Sequence, residues 1–246
     1  MTSYLSPINL LVITLWYLRH YHSERYIATK VNLIQKVVNY FLSSTLNILH
    51  SYVYPALISL LDDLASRITS HGPEQQHKLI VDSTFIAIPE LYDSEERKTY
   101  YHAKNSTNYA LKVQIACNFH HRIVHVSKCY HGSVQDITIV RDSGLLEHVN
   151  DSVQIIADKG YIDEENVVTP RKRPYRRELT DEDKDFNRDI NSAIAAIENI
   201  NQCLKGYAII GNVYRGAIDN IHETTQIVQV AAFCDRSSRH GIVVIL

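Results

Sequence analysis

Apolar residues recur at helical spacing along residues 1–70 and at strand spacing from Leu79 onward, and this change of period organises the chain. Ser6 and Pro7 read as the cap and first turn of a helix whose apolar run continues from Ile8 to Leu18. Ser23 caps a second helix reaching Lys30, and Val31-Asn32-Leu33 makes a break. Ile34, Val37, Val38, Phe41 and Leu42 then begin a third helix, whose stripe runs on through Leu46, Leu49 and Val53 towards Pro55. This order predicts a helix-turn-helix in which Gln35, Lys36 and Asn39 are the polar positions offered to a DNA duplex. A plain three-helix bundle without a nucleic-acid role has the same pattern. Another amphipathic helix is expected over Ala56 to Ile68, followed by the polar linker Thr69 to His77. The expected division is therefore a helical domain over 1–70, a second domain over 78–235, and a tail over 236–246 with little pattern.

Leu79 to Ile88 is a β-branched run with the length of a central strand, and it carries one charge, Asp82. Alternation puts Ile80, Asp82, Thr84, Ile86 and Ile88 on one face and Val81, Phe85 and Ala87 on the other. A buried carboxylate must be paired, hydrogen-bonded, protonated or neutralised by a metal ion. Glu90 to Asn108 reads as an exposed, mobile loop. Tyr109 to Cys117 and Ile123 to Tyr130 read as two strands joined by a turn at Asn118 to Arg122. Ser133 is expected to cap a helix running through Leu146, with Asp136 in its first turn. Val153 to Ala157 is a further buried strand ending in Asp158-Lys159-Gly160-Tyr161, and Val167-Val168 begins a short one. Thr180 and Asp183 form a capping box for a long helix through Ile190, Ile194, Ile197 and Glu198 to about Leu204, closed by Gly206. A last apolar helix is expected from about Ala217 to Phe233.

Composition narrows the picture. With 246 residues, 45% hydrophobic, and a formal charge of -2, the chain can bury a sizeable core but has no overall basic excess. Nucleic-acid contact must then come from local patches, of which Arg171-Lys172-Arg173-Pro174-Tyr175-Arg176-Arg177 is the densest. A nuclear-import signal or a solvated basic loop would use the same composition. The four cysteines show no zinc spacing, and no apolar run spans a membrane, so a soluble protein of a reducing intracellular compartment is expected. Each further acidic residue has an ordinary explanation when taken singly: Asp136 as a helix-start residue, Asp158 in an Asp turn, Glu198 on an exposed helix face.

Taken together, the elements follow the plan of a ribonuclease-H-like α/β fold, preceded by the helical segment. Val-Asp-Ser-Thr at 81–84, Gly-Ser-Val-Gln-Asp at 132–136, Ala-Asp-Lys-Gly-Tyr at 157–161, and Ile-Glu-Asn with Leu-Lys at 197–205 resemble the successive blocks of Harbinger-type transposases. These belong to the DDE superfamily and are related to a group of bacterial insertion-sequence enzymes. The resemblance covers roughly Lys78 to Phe233 and implies a metal-dependent DNA endonuclease in which Asp82, Asp158 and Glu198 form the catalytic carboxylate triad. It implies that Asp136 joins them as a metal ligand, and that two Mg²⁺ or Mn²⁺ ions about 4 Å apart serve phosphodiester cleavage. Lys205, seven residues after Glu198, matches a family lysine that contacts DNA phosphate. The partners so implied are double-stranded DNA at transposon ends and a Myb-like helper protein, with nuclear localisation; a homo-oligomer is compatible with the sequence. Asn191 and Ile194 depart from the tyrosine and arginine that related insertion-sequence enzymes carry there, and the tail after Phe233 is unlike the family. Two other readings stay open: a decayed or domesticated copy that binds DNA or protein without cutting, and a cellular ribonuclease.

Overall fold

The sheet is built around β1 (His77–Ala87) in the computed structural model, which describes residues 5–58, 69–72, 75–102, 108–149, 153–162, 164–175, 177–218 and 220–239, with 233 and 235–239 by backbone alone. β2 (Ala110–Asn118) and β3 (Ile123–Val126) continue antiparallel on one side of β1, and β4 (Tyr130–His131) pairs with β2. β5 (Gln154–Ile156) and β6 (Val167–Val168) add in parallel on the other side, giving the order β3-β2-β1-β5-β6. This mixed sheet flanked by helices is consistent with a ribonuclease-H-like fold.

The alternation read from β1 is realised in the packing. Ile80, Ile86 and Ile88 join Leu111, Val113, Ile115 and Cys117 on one face, while Leu79 and Val81 join Ala116, Val140 and Leu145 on the other. The first face is covered by α7 (Asp181–Leu204), which buries Ile190, Ala193, Ile194, Ile197, Ile200 and Leu204, and by α9 (Ile221–Arg239). Each isoleucine so removed from water contributes roughly 1.5–3 kcal/mol, enough to fix the helix against the sheet. α7 opens with the expected capping box: Thr180 Oγ1 accepts from Asp183 N at 3.1 Å, and Asp183 Oδ2 accepts from Thr180 N at 3.3 Å.

Before β1 come α1 (Pro7–His20), α2 (Glu24–Val31) and α3 (Gln35–Ile48). Ser6 and Ser23 cap the first two as expected, and Asn32 ends α2 in the left-handed conformation at φ 54°. α3 passes into a wider π turn over Leu49–Val53 before α4 (Tyr54–Leu57). Pro55 explains the widening, since its ring lacks an N–H and crowds the carbonyl four residues back. Leu15, Leu18, Tyr21, Leu46 and Leu49 belong to the same apolar cluster as Ile80 and α7. Arg215 donates its backbone N–H to Tyr21 Oη at 2.7 Å, stacks its guanidinium over the Tyr21 ring at 4.3 Å and also bonds the Tyr21 carbonyl.

Several expectations need correction. The segment after β1 is not all loop: α5 (Ser94–Tyr100) forms where the Asp93 carboxylate accepts from Glu95 N and Glu96 N. Ser133 does not cap the next helix, because its hydroxyl donates to Thr99 O at 2.6 Å; α6 spans only Asp136–Asp142, and a 3₁₀ turn follows at Leu145–His148. The run Ile123 to Tyr130 splits into β3 and β4 around residues 127–129. α8 (Ala208–Gly211) follows α7, and α9 starts at Ile221 rather than Ala217. Most of the helix expected over Ala56 to Ile68, the end of the tail and Arg176 lie outside the described residues. Among the described residues, no helix is long and apolar enough to cross a membrane.

Candidate functional site

Asp82 lies on the α7 face of β1, opposite Ile115 of β2. Asn201, on the buried stripe of α7 and 6% exposed, donates from Nδ2 to Asp82 Oδ2 at 2.8 Å. Burial pushes the Asp82 carboxyl up to about 6. Hydrogen bonds from the Ser83 backbone and Asn201 oppose that rise, and the like charges of Asp158 and then Asp136 add to it. Asp82 therefore senses the charges of two aspartates carried by different elements.

β5 explains how Asp158 arrives. It runs parallel to β1 with Ile156 opposite Ile80, and two further residues along both chains bring Asp158 level with Asp82. Asp158 is exposed, and its Oδ1 accepts from Gly160 N at 2.8 Å, capping the 3₁₀ turn Lys159–Tyr161. The Asp turn weighed from the sequence is therefore present, and it coexists with the approach to Asp82. The turn carries Tyr161 into the core, where its hydroxyl lies 3.1 Å from Ser83 Oγ and accepts from Gln114 Nε2 at 3.0 Å. Burial, and next the charge on Asp136, hold the Tyr161 phenol well above its usual range.

Asp136, the first residue of α6, comes from the other side of the sheet. A Cβ built on Gly160 would stand 2.9 Å from Asp158 Oδ1 and 3.0 Å from Asp136 Oδ2, so both carboxylates close on the bare face of one glycine. Asp136 is also partnered by a cation. Lys112, only 5% exposed, has Nζ at 3.3 Å from Asp136 Oδ1, donates to Val134 O at 2.6 Å and lies 5.1 Å from the Phe85 ring centre. Cross-strand register sets this up, pairing Phe85 with Lys112 and Ser83 with Gln114.

Glu198 is exposed on α7, one turn before Asn201, and has no hydrogen bond or ion pair among the described residues. Lys205 is exposed at the end of the same helix, one turn after Asn201. Ile194, where related enzymes have arginine, is 9% exposed and packs into the core. The basic loop is partly tied down. Arg171 pairs with Asp183 at 2.7 Å, exchanges bonds with Asn187 and stacks over Phe186, while Arg173 bonds Arg177 O and Glu178. Lys172 and Arg177 are exposed. Gln35, Lys36 and Asn39 are exposed on the first turns of α3, and Asn39 donates to Glu24 Oε1 at 2.9 Å.

The donor chemistry suits a hard divalent cation: carboxylate oxygens only, with like charges crowding a half-buried aspartate. The closest fit is at Asp82 and Asp158, since Asp136 is already matched by Lys112. Among the described residues, no three His, Cys, Asp or Glu side chains are gathered closely enough to hold a metal ion. Reading the sequence missed Asn201, Lys112, Gln114 and Tyr161. The signal for the first three was a polar residue at a position where helix or strand period demands an apolar one.

The family model described as DDE superfamily endonuclease matches residues 81–234, from just before Asp82 into α9. A curated relative from Microchaete diplosiphon, named as the probable transposase for insertion sequence element IS702, is 27% identical over 149 residues, covering 58% of this chain and 51% of the relative. The chain thus spans about half the length of that curated relative.

Proposed function

From the premise that this chain belongs to the DDE superfamily endonucleases, we propose that it is a metal-dependent endonuclease of transposase type, cutting phosphodiester bonds at transposon ends. The observation that carries the proposal is the crowding at Asp82: a half-buried carboxylate, pushed up to about 6, with Asp158 level with it on the parallel neighbour and Asp136 also near. DDE endonucleases generally use divalent metal ions. In this reading Asp82 and Asp158 hold the metal, Mg²⁺ or Mn²⁺, with Glu198 as third carboxylate one turn from Asn201 on α7. When bound, the ion supplies Lewis-acid stabilisation of charge on the phosphodiester oxygens.

The chain's own residues do the rest. Asn201 and the Ser83 backbone orient Asp82; Gly160 N orients Asp158; Lys112 pairs with Asp136 beside them. Lys205 and the exposed side chains of the 171–177 loop bind DNA phosphates, and Gln35, Lys36 and Asn39 on α3 meet the duplex. The blocks at 81–84, 132–136, 157–161 and 197–205 support a Harbinger-type member, and the IS702 relative supports the insertion-sequence branch. Nuclear import and a Myb-like helper go with the first branch alone. The test is nicking of terminal-repeat DNA with Mn²⁺ or Mg²⁺ by wild type and Asp82→Ala. Metal-dependent nicking by wild type alone is expected, and equal nicking by both overturns the proposal.

A second reading, a non-cutting DNA- or protein-binding descendant, is favoured by Lys112 on Asp136, by Ile194 in the core, and by the lack, among the described residues, of three acidic side chains gathered closely enough to hold a metal ion. Calorimetry with Mn²⁺ separates the two, since this reading expects no uptake.

A further inference from the structure

We infer that Asn201 is a positioning residue for Asp82, set on α7 to hold that side chain in the orientation that cation and substrate require. The inference rests on the endonuclease reading and adds a residue to it.

Asn201 occupies a stripe otherwise filled by Ile190, Ile194, Ile197, Ile200 and Leu204, where an aliphatic side chain would pack without polar loss. Its polar group is matched there by the Asp82 carboxylate, which burial would otherwise leave short of a donor. The amide does one thing in this position: Nδ2 reaches across the helix–sheet interface to Asp82 Oδ2 at 2.8 Å. An ionised carboxylate only accepts, so the NH₂ end must face it, and the amide oxygen is committed to the opposite direction. That oxygen, Oδ1, is buried without a hydrogen-bond partner among the described residues. A side chain that leaves half of its own amide unsatisfied in order to direct the other half at one carboxylate is arranged around that carboxylate. The contact also joins the two elements that bear Asp82 and Glu198, because Asn201 lies three residues after Glu198 on the same helix. Asn201 thus fixes the distance at which α7 presents its exposed carboxylate to the strand.

The experiment is calorimetry of MnCl₂ into the full chain without DNA, with thermal melts, for wild type, Asn201→Ala and Asn201→Leu. Alanine is the smaller change and leucine the volume-matched one, so at least one variant is expected to fold. The expected result is Mn²⁺ affinity lowered about 10- to 100-fold in each folded variant, the range typical of residues that orient metal ligands. The melting temperature should fall in both variants, because each leaves the half-buried Asp82 carboxylate short of a donor. A folded variant that binds Mn²⁺ as wild type does, whatever its melting temperature, overturns the inference and leaves the endonuclease reading standing. A wild type that takes up no Mn²⁺ overturns that reading, and the inference with it.

Discussion

Lys112 Nζ stands 3.3 Å from Asp136 Oδ1, so the acidic residue that opens α6 meets a buried ammonium from the middle of β2. The lysine is the more deeply buried partner, and among the described residues it is compensated by Asp136, Val134 O and the Phe85 face. Asp136→Asn removes the only charge in that set. The expected outcome is a loss of stability of about 1–3 kcal/mol, because a buried charge loses its counter-charge while keeping a neutral acceptor. Urea midpoints of wild type and variant measure it. Unchanged midpoints would mean that the pair is too well hydrated to matter.

Asp82 and His125 give folding stability opposite dependences on pH. The folded Asp82 pKa, about 6, is raised from 3.8, so its contribution is fully present below pH 3.8 and declines as pH rises through 6. His125 is lowered from 6.5 to about 4 by burial and then by His148, so its contribution is present above pH 6.5 and declines as pH falls towards 4. Wild type should therefore show a nearly flat profile between these limits. Asp82→Asn should convert it to one rising with pH, with a gain near neutrality on the order of 1–3 kcal/mol. Melting temperatures from pH 4 to 7 decide; an equally flat profile in the variant refutes the assignment.

Gly160→Ala tests the convergence of Asp158 and Asp136. The added Cβ would come within 2.9 Å and 3.0 Å of their oxygens, both at the ends of side chains that can turn away. Stability should change by about 1 kcal/mol or less, since a surface turn absorbs the shift. Nicking and Mn²⁺ affinity should each fall about tenfold or more, as for other displaced metal ligands. A variant as active as wild type would show that the two carboxylates need not approach each other.

The basic loop should act on DNA through only part of its charge. Arg171 is held by Asp183, Asn187 and Phe186, so Arg171→Ala should loosen the start of α7 and lower the melting temperature. Lys172→Ala and Arg177→Ala should leave the melt unchanged. Each should reduce the slope of log affinity against log salt by about 1 if it contacts a phosphate. Titration of duplex DNA at several salt concentrations gives the slopes, and an unaltered slope in both variants removes the loop from the DNA surface.

Much of this was legible because it depends on short-range rules. The strand period of β1 assigned Ile80, Asp82 and Ile86 to one face, and the Thr180–Asp183 box fixed the start of α7. What was not legible depends on partners far along the chain. Ser133 has a capping residue's composition, yet its hydroxyl is taken by Thr99 O, which no local rule foresees. α5 hid in a charged, tyrosine-rich stretch whose helix signal, Asp93 before two glutamates, is a cap without an apolar stripe. At the site, Asp82 stood out as a charge in an apolar run and Asp136 and Asp158 only through the family resemblance, whereas the service of Asn201 and Lys112 depends on helix-to-sheet and strand-to-strand register.

The apolar cluster that runs from Leu15, Leu18 and Tyr21 to Ile80 and α7, braced by Arg215 on Tyr21, also bears on how the molecule can be dissected. A fragment cut to begin at β1 would present a raw greasy wall to solvent where α1 had lain, and would lose the ring under its arginine. The leading helices are therefore a sealing cover on the sheet body as much as a possession of their own, and excision should yield aggregates rather than a soluble fragment.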